Sequence, residues 1–483
     1  MNVGLLTLEI AVVTLGVVLL LADLWLPAQH RRALGLAAAG GLGLLLVLSC
    51  WGAFGLGETG TAFGGMFVQD GLSLFFKRLF LLIGALVLLM AVEYSDRFRA
   101  GVTEYYVLVL FSLSGMMLAA SAHDLALLFV AMELMTVTFY VLTAYERTHR
   151  ASVEAGVKYL ILGGLASAFL VLGIALVWGV SGRLNFTELA MVADRYTGDP
   201  LFLSGVVLVV AGLGFKLAAV PFQVWAPDVY EGSPTPTAAL LAAGSKAAGM
   251  VLLLRLLFTG VPEVAAQGAK VAMAVAGATI LYGNLCALPQ RNLKRLLGYS
   301  SIAHAGYLLL GVAALSDAGR SAVLFYLLAY ALTVLAAFTV VALVLRHLET
   351  EDISGLAGLH ERSPFLASTL TLAMISLAGI PPLAGFFGKF LLIRSVVEQA
   401  GLQPGYWLLA GVAVVGVVIS LYYYLRVVRV LWWDRPPENA GLVELPQRLR
   451  LAAALCMVGM LYLGLFPARA LAWAEEAARV LAF

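Results

Sequence analysis

Four of the chain's seven lysines, Lys158, Lys216, Lys246 and Lys389, lie inside long apolar runs, and Glu133 lies in another. A lysine ammonium in a low-dielectric setting releases its proton far more readily than in water, whereas arginine stays charged almost anywhere. Of 23 arginines only Arg255 falls well within an apolar run, and it is expected to snorkel toward an interface. Side chains that can switch protonation are thus concentrated where charge is expensive, which is the chemistry of a proton path. His304, within Tyr299-Ser-Ser-Ile-Ala-His-Ala-Gly-Tyr307, can relay protons because an imidazole titrates near neutrality, or can serve as a hydrogen-bonded structural histidine.

Several of these residues carry a second reading. Lys246 follows Ser245 among small residues that let helices approach closely, so it is either a proton site or half of a buried ion pair. Lys158 stands four residues after Glu154, the favoured orientation for a helical ion pair. Glu104 stands near the expected cytoplasmic end of a span, where a carboxylate can simply be solvated. Two stripes at helical spacing, Glu133, Thr136, Tyr140 and Tyr326, Tyr330, Thr333, can hold water or can bond helices together.

The elements that must position these groups are membrane spans. The chain is 62% hydrophobic and 12% charged, with too little polar surface to cover a soluble globule of 483 residues. Its start, MNVGLLTLEI, has no basic leader and no small-residue cleavage site, so the first apolar run is expected to be a retained span. Cys50, Cys286 and Cys456 are scattered singly, which argues against a disulfide framework, a thiolate metal site or an iron–sulfur cluster on this chain. A net charge of +2 spread over many loops gives no basic stripe for nucleic acid.

At about 20 apolar residues per span, the sequence predicts an all-α polytopic membrane protein with fourteen spans. They fall near 4–26, 33–52, 72–92, 104–121, 124–145, 155–180, 202–230, 236–258, 265–288, 297–315, 321–347, 364–399, 406–431 and 450–470. An even count puts both termini on one side, and the excess of Lys and Arg in loops after odd-numbered spans puts that side away from the cytoplasm.

Spans seven and twelve break their own pattern, at Pro221 and at Pro381-Pro382, each in the same span as a lysine. Proline removes a backbone donor, so each helix is expected to open within the membrane. A plain proline kink is the simpler reading of either one, but paired breaks point to inverted repeats. Five spans separate them, so spans 4–8 and 9–13 would be inverted copies. Residues 1–95 would then hold three leading spans, 103–258 and 265–432 the two repeats, and 449–471 the last span. The spacing Glu133 to Lys216 is close to that of His304 to Lys389, which suggests equivalent pairs.

At these positions the chain resembles the antiporter-like membrane subunits of respiratory complex I (NADH-quinone oxidoreductase). The resemblance rests on FKLAAVPFQVWAPDVYEGSPTPTAALLAAGSKAAG (215–249), NLKRLLGYSSIAHAGYLLLG (292–311) and LAGIPPLAGFFGKF (377–390), and with the span layout it covers the whole chain. The segment PDVYEGSPTP (227–236), and a chain that stops soon after span fourteen, resemble subunit N rather than its sisters L and M. The resemblance implies a multi-pass protein of the bacterial plasma (inner) membrane that pumps protons through two linked half-channels. Glu133 and Lys216 would form the charged pair of the first, Lys246 the link, His304 part of the central axis and Lys389 the terminal switch. It implies no cofactor on this chain, with NADH, FMN, iron–sulfur clusters and quinone on partner subunits. The partners would be an M-type subunit and small neighbouring membrane subunits. A subunit of a multi-subunit cation/proton antiporter, or a non-pumping scaffold, remains the alternative.

Overall fold

The computed structural model describes every residue except 1, 28–29, 99–100, 345–350, 402, 437–440 and 482–483. Among the described residues thirteen helices are long and apolar enough to cross a membrane. The first six run Val3–Asp23, Arg31–Trp51, Gly71–Arg97, Val102–Ser121, Leu125–Thr143 and Arg150–Ser181. The rest are Pro200–Leu217, Thr235–Gly260, Ala269–Ala287, Leu293–Ala313, Asp317–Val344, Gly405–Trp432 and Gln447–Leu465. Span twelve completes the fourteen as two shorter helices, Pro364–Ala378 and Ala384–Gln399. The expected end of span eleven, 345–347, lies outside the described residues.

Starts of these helices follow from side chains that satisfy otherwise orphaned amides. Asp70 accepts from Ser73 N, and Ser73 Oγ accepts in return from Asp70 N, a capping box that opens span three. Asp124, Asp199 and Asn292 cap spans five, seven and ten, with Pro200 in the first turn of span seven, where a missing N–H does no harm.

Both predicted breaks are present and share one construction. Span seven stops at Leu217, turns through Ala218 in the left-handed region (φ 55°), and resumes as Trp225–Gly232. Span twelve stops at Ala378, turns through Gly379 (φ 83°), and resumes at Ala384. Ala218 N donates to Phe215 O and Ala219 N to Gly214 O. Gly379 N donates in the same way to Ser376 O, and Ile380 N to Ile375 O.

A second match ties the start of span five to a distant loop. Leu125 N donates to Leu184 O and Phe186 N to His123 O, at 3.0 Å each. At the start of span ten Leu293 N donates to Glu351 O (3.1 Å) and Ile353 N to Arg291 O (2.9 Å).

These matches fix a register that the residue spacing missed. Counted from the caps Asp124 and Asn292, Glu133 falls level with Ser301, not His304. Counted from the turns at Ala218 and Gly379, Lys216 falls level with Leu377, and Lys389 with Asp228. Lys216 therefore sits on the half-helix before its break and Lys389 on the half-helix after its own.

Several short elements were not foreseen, among them a helix at Phe186–Ala193 between spans six and seven. The segment between spans two and three holds a short antiparallel hairpin, Gly60–Ala62 against Phe67–Gln69. After span fourteen, Pro467–Ala478 forms a further helix, whose Trp473 ring lies 4.6 Å from that of Phe75 on span three.

The break in span twelve depends on close backbone approach. A Cβ on Gly385 would meet Ser376 O at 1.8 Å, whereas one on Gly164 would meet nothing within 4 Å. Gly385→Ala is expected to destabilise the chain by ~3 kcal/mol or more, at or beyond the upper range for overpacking. Gly164→Ala should be neutral or stabilising by up to ~1 kcal/mol. Thermal unfolding in detergent checks both.

Candidate functional site

Lys216, Lys246, Lys389 and His304 all lie in the interior, each 2–3% exposed. Lys216 and His304 are held by tyrosine hydroxyls, Lys246 and Lys389 by backbone carbonyls. Lys216, in the last turn before the break of span seven, donates to the Tyr159 hydroxyl at 3.1 Å. A Cβ on Gly249 of span eight would stand 3.1 Å from Lys216 Cβ. Lys216 therefore packs one turn along from Lys246, which precedes Gly249 by three residues on the same helical face.

Lys246 begins a ten-residue helix, Lys246–Arg255, between two wide π-turns, Leu241–Ser245 and Leu256–Gly260. Such turns carry one extra residue and are frequent at functional sites. The Lys246 ammonium donates to the Ser301 carbonyl of span ten and lies 5.7 Å from the centre of the Tyr330 ring. Ser301 Oγ is bonded in turn to Tyr230 at 2.9 Å.

One turn along span ten, His304 is bonded on both ring nitrogens, Nδ1 to Tyr326 and Nε2 to Tyr424 at 3.1 Å. The Tyr424 hydroxyl also reaches Ser300 Oγ. Lys389 stands beside this group, its Nζ 4.7 Å from the Tyr307 ring centre. It donates to Leu377 O (2.7 Å) and Ala378 O (3.3 Å), carbonyls that the break in span twelve leaves without helical donors. Tyr159, Lys216, Lys246, His304, Tyr326/Tyr424 and Lys389 thus form a row from one break to the other whose side chains can accept and donate protons, with Lys246 tied to span ten through the Ser301 backbone carbonyl, which only accepts a hydrogen bond.

Glu133 is placed differently from expectation. It is half-buried on span five, where Ser167 of span six donates to its carboxylate. Among the described residues it makes no ion pair with Lys216. Tyr140 and the Tyr159 ring, 5.4 Å apart, lie between the two sites. The Thr136 hydroxyl returns to Met132 O of its own helix, while Thr333 bonds both Ala329 O and Ser376 Oγ.

Lys158 and Glu104 take the second of the two readings given above, and one expectation, that for Arg255, is corrected. The Lys158 side chain is 42% exposed and paired with Glu154 (2.8 Å) and Asp228 (2.7 Å), so it belongs to a charged recess with Glu231 and Arg295 rather than to the buried row. Glu104 is exposed in the first turn of span four and joins neither group. Arg255 does not snorkel: it is fully buried, donating to Asp70 Oδ1 and Ala120 O at 2.8 Å each.

Tyr159, Tyr424 and Ser301 were missed. Their apolar contexts carried no signal beyond a hydroxyl at the right helical phase. Lys77 and Lys294 were also missed, both buried and ion-paired, Lys77 to Glu9 at 2.7 Å and Lys294 to Glu351 at 2.8 Å. Lys77 stands in the second turn of span three and Lys294 in the first turn of span ten, so both looked like charges at the membrane edge. Among the described residues no group of three or more His, Cys, Asp or Glu side chains could hold a metal ion.

The NADH:quinone oxidoreductase/Mrp antiporter transmembrane family matches residues 122–420. NADH-quinone oxidoreductase subunit N of Desulforamulus reducens is 41% identical over 467 residues, 96% of each chain. The subunit N of Heliobacterium modesticaldum is 40% identical over 97% of each. A chain of respiratory complex I from Thermus thermophilus superposes with a TM-score of 0.79 at 33% identity, over 96% of this chain and 99% of that one. A chain of the Mrp complex from Dietzia shares the fold (TM-score 0.85) at 23% identity, covering 100% of this chain and 98% of that one. A broken-helix, all-α membrane fold and matches along nearly its whole length lead to one conclusion: the chain belongs to the antiporter-like membrane-subunit family of NADH:quinone oxidoreductase and Mrp antiporters.

Proposed function

We propose that the chain is subunit N of a bacterial NADH-quinone oxidoreductase and moves protons across the plasma membrane along its buried row. The observation that carries this is the run of lysines and hydroxyls joining the two helix breaks. Intramembrane ionisable groups are costly and usually mark a pathway, and here three lysines and a histidine are buried in one row, each hydrogen-bonded to a hydroxyl or to a backbone carbonyl. The Mrp-type alternative shares the fold, but identities near 40% over whole subunit N chains favour the quinone-linked complex. A passive scaffold has no use for four buried titratable groups.

In this reading protons enter the row near Glu133 and pass by way of Tyr140 and Tyr159 to Lys216. Lys246 and His304 carry them to Lys389. Spans 4–8 and 9–13, within 103–258 and 265–432, act as inverted half-channels flanked by 1–95 and 449–471, a reading supported by their matching loop ties and turns. Redox energy comes from NADH, FMN, iron–sulfur clusters and quinone on partner subunits. An M-type subunit and small membrane subunits lie alongside. The outward apolar side chains flanking Glu133, such as Val130 and Val137, suit either such a neighbour or lipid.

Lys216→Arg is expected to stop proton movement through this chain as fully as Lys216→Ala, because a guanidinium keeps its charge but releases no proton at accessible pH. Proton uptake into vesicles by the assembled complex, normalised to NADH oxidised, measures it. Normal uptake with arginine would mean that fixed charge suffices. Tyr159→Phe removes the hydrogen bond that Lys216 makes to the Tyr159 hydroxyl while keeping the ring, and should slow uptake about five-fold, the rate equivalent of ~1 kcal/mol. An unchanged rate would place the path elsewhere.

A further inference from the structure

The break in span seven is crossed by a side chain that the row does not use. Trp225 opens the half-helix Trp225–Gly232, and its indole Nε1 donates back over the break to Phe215 O at 2.8 Å. That carbonyl also accepts from Ala218 N at 3.0 Å, so one oxygen ties both the turn and the second half-helix to the last turn of the first. Trp225 is 3% exposed, and a buried indole N–H needs such an acceptor.

Its ring is one of three in mutual contact. Ring centres lie 4.8 Å apart for Tyr159 and Trp225, 5.2 Å for Phe215 and Trp225, and 5.9 Å for Tyr159 and Phe215. These are separations at which aromatic rings attract. Two of the three bear directly on Lys216: Tyr159 supplies the hydroxyl that accepts from its ammonium, and Phe215 precedes it in the chain. Trp225 packs on both and is pinned by its own N–H. Being a donor only, the indole offers Lys216 no acceptor of its own.

Span twelve is strapped in another way. Phe386, level with Trp225 when both are counted from the turns, has no side-chain donor. There it is Lys389 that reaches back across the break, to Leu377 O and Ala378 O. An ammonium bonded across a break can release its proton, whereas an indole N–H keeps its own. In span seven the crossing donor is therefore fixed and the titrating lysine stands beside it.

We propose that Trp225 is a positioning residue for proton transfer at Lys216: it straps the break in span seven and holds the Tyr159 ring where its hydroxyl meets the ammonium. The inference rests on the chain moving protons by way of Tyr159 and Lys216. Without the indole bond the Trp225 ring is free to tilt away from Tyr159, and the 3.1 Å contact between that hydroxyl and Lys216 is made less of the time.

The test is a double-mutant cycle in assembled complex in vesicles, reading protons taken up per NADH oxidised. Trp225→Phe keeps an aromatic ring and removes the N–H; it is expected to lower uptake about two-fold or more, but no further than Tyr159→Phe does. A residue that acts through the Tyr159 hydroxyl has nothing left to act on once that hydroxyl is gone, so Trp225→Phe should cause no further loss in a Tyr159→Phe chain. Lost packing alone would lower uptake in both backgrounds, because Tyr159→Phe keeps the ring. Normal uptake in Trp225→Phe, or a further loss in the double variant, overturns the proposal. Should Trp225→Phe fail to assemble, replacing the Trp225 indole by a benzothiophene of the same shape, which lacks only the N–H, is read in the same cycle. Normal uptake in Tyr159→Phe would overturn the underlying path through Tyr159 as well, so the two failures are told apart.

Discussion

An ammonium group withdrawn from water must be given acceptors by the protein, and an intact helix has few to spare because its carbonyls are already bonded along the chain. That constraint organises the molecule. Lys389 takes its acceptors from carbonyls freed where span twelve stops. Lys216 takes a tyrosine hydroxyl from a neighbouring helix, and Lys246 a serine carbonyl from another. The prolines, the left-handed turns and the small residues between helices all bring such acceptors within reach of a buried cation. Gly385 is the sharpest case, since only the absence of a side chain lets its backbone lie against Ser376.

Span positions and both breaks were legible in the sequence because hydropathy and proline act locally. The features that were not legible depended on rotation or on distant partners. Lys158 and Tyr159 are adjacent, yet a step of one residue on a helix turns the side chain by about 100°, so one faces a charged recess and the other the interior. Arg255 looked like an arginine in search of water, and its carboxylate, Asp70, lies far away in the sequence. The near-equal spacing from Glu133 to Lys216 and from His304 to Lys389 was arithmetic without geometry. The caps and turns that set the true register are backbone features that no count of charges reveals.

That register has a chemical meaning. The two breaks match hydrogen bond for hydrogen bond, but their lysines stand on opposite sides of them. Lys389 reaches back across its break to carbonyls whose counterpart in span seven lies at Lys216 itself. Common to the two halves is therefore a place for an ammonium beside an opened helix, and the chain position that supplies it differs. A shared scaffold can keep the site while moving the residue.

The ten residues from Lys246 to Arg255 lie between two π-turns and carry a cation at each end. Each wide turn admits one residue more than the regular helix, so it resets the angular phase of the helix beyond it. The azimuth of this segment is consequently offset from the stretches on either side and points its two ends at Ser301 and at Asp70. The same phase shift that turns Lys246 toward Ser301 thus comes with one that turns Arg255 toward Asp70, so that a single short helix presents a cation to a different neighbour at each end.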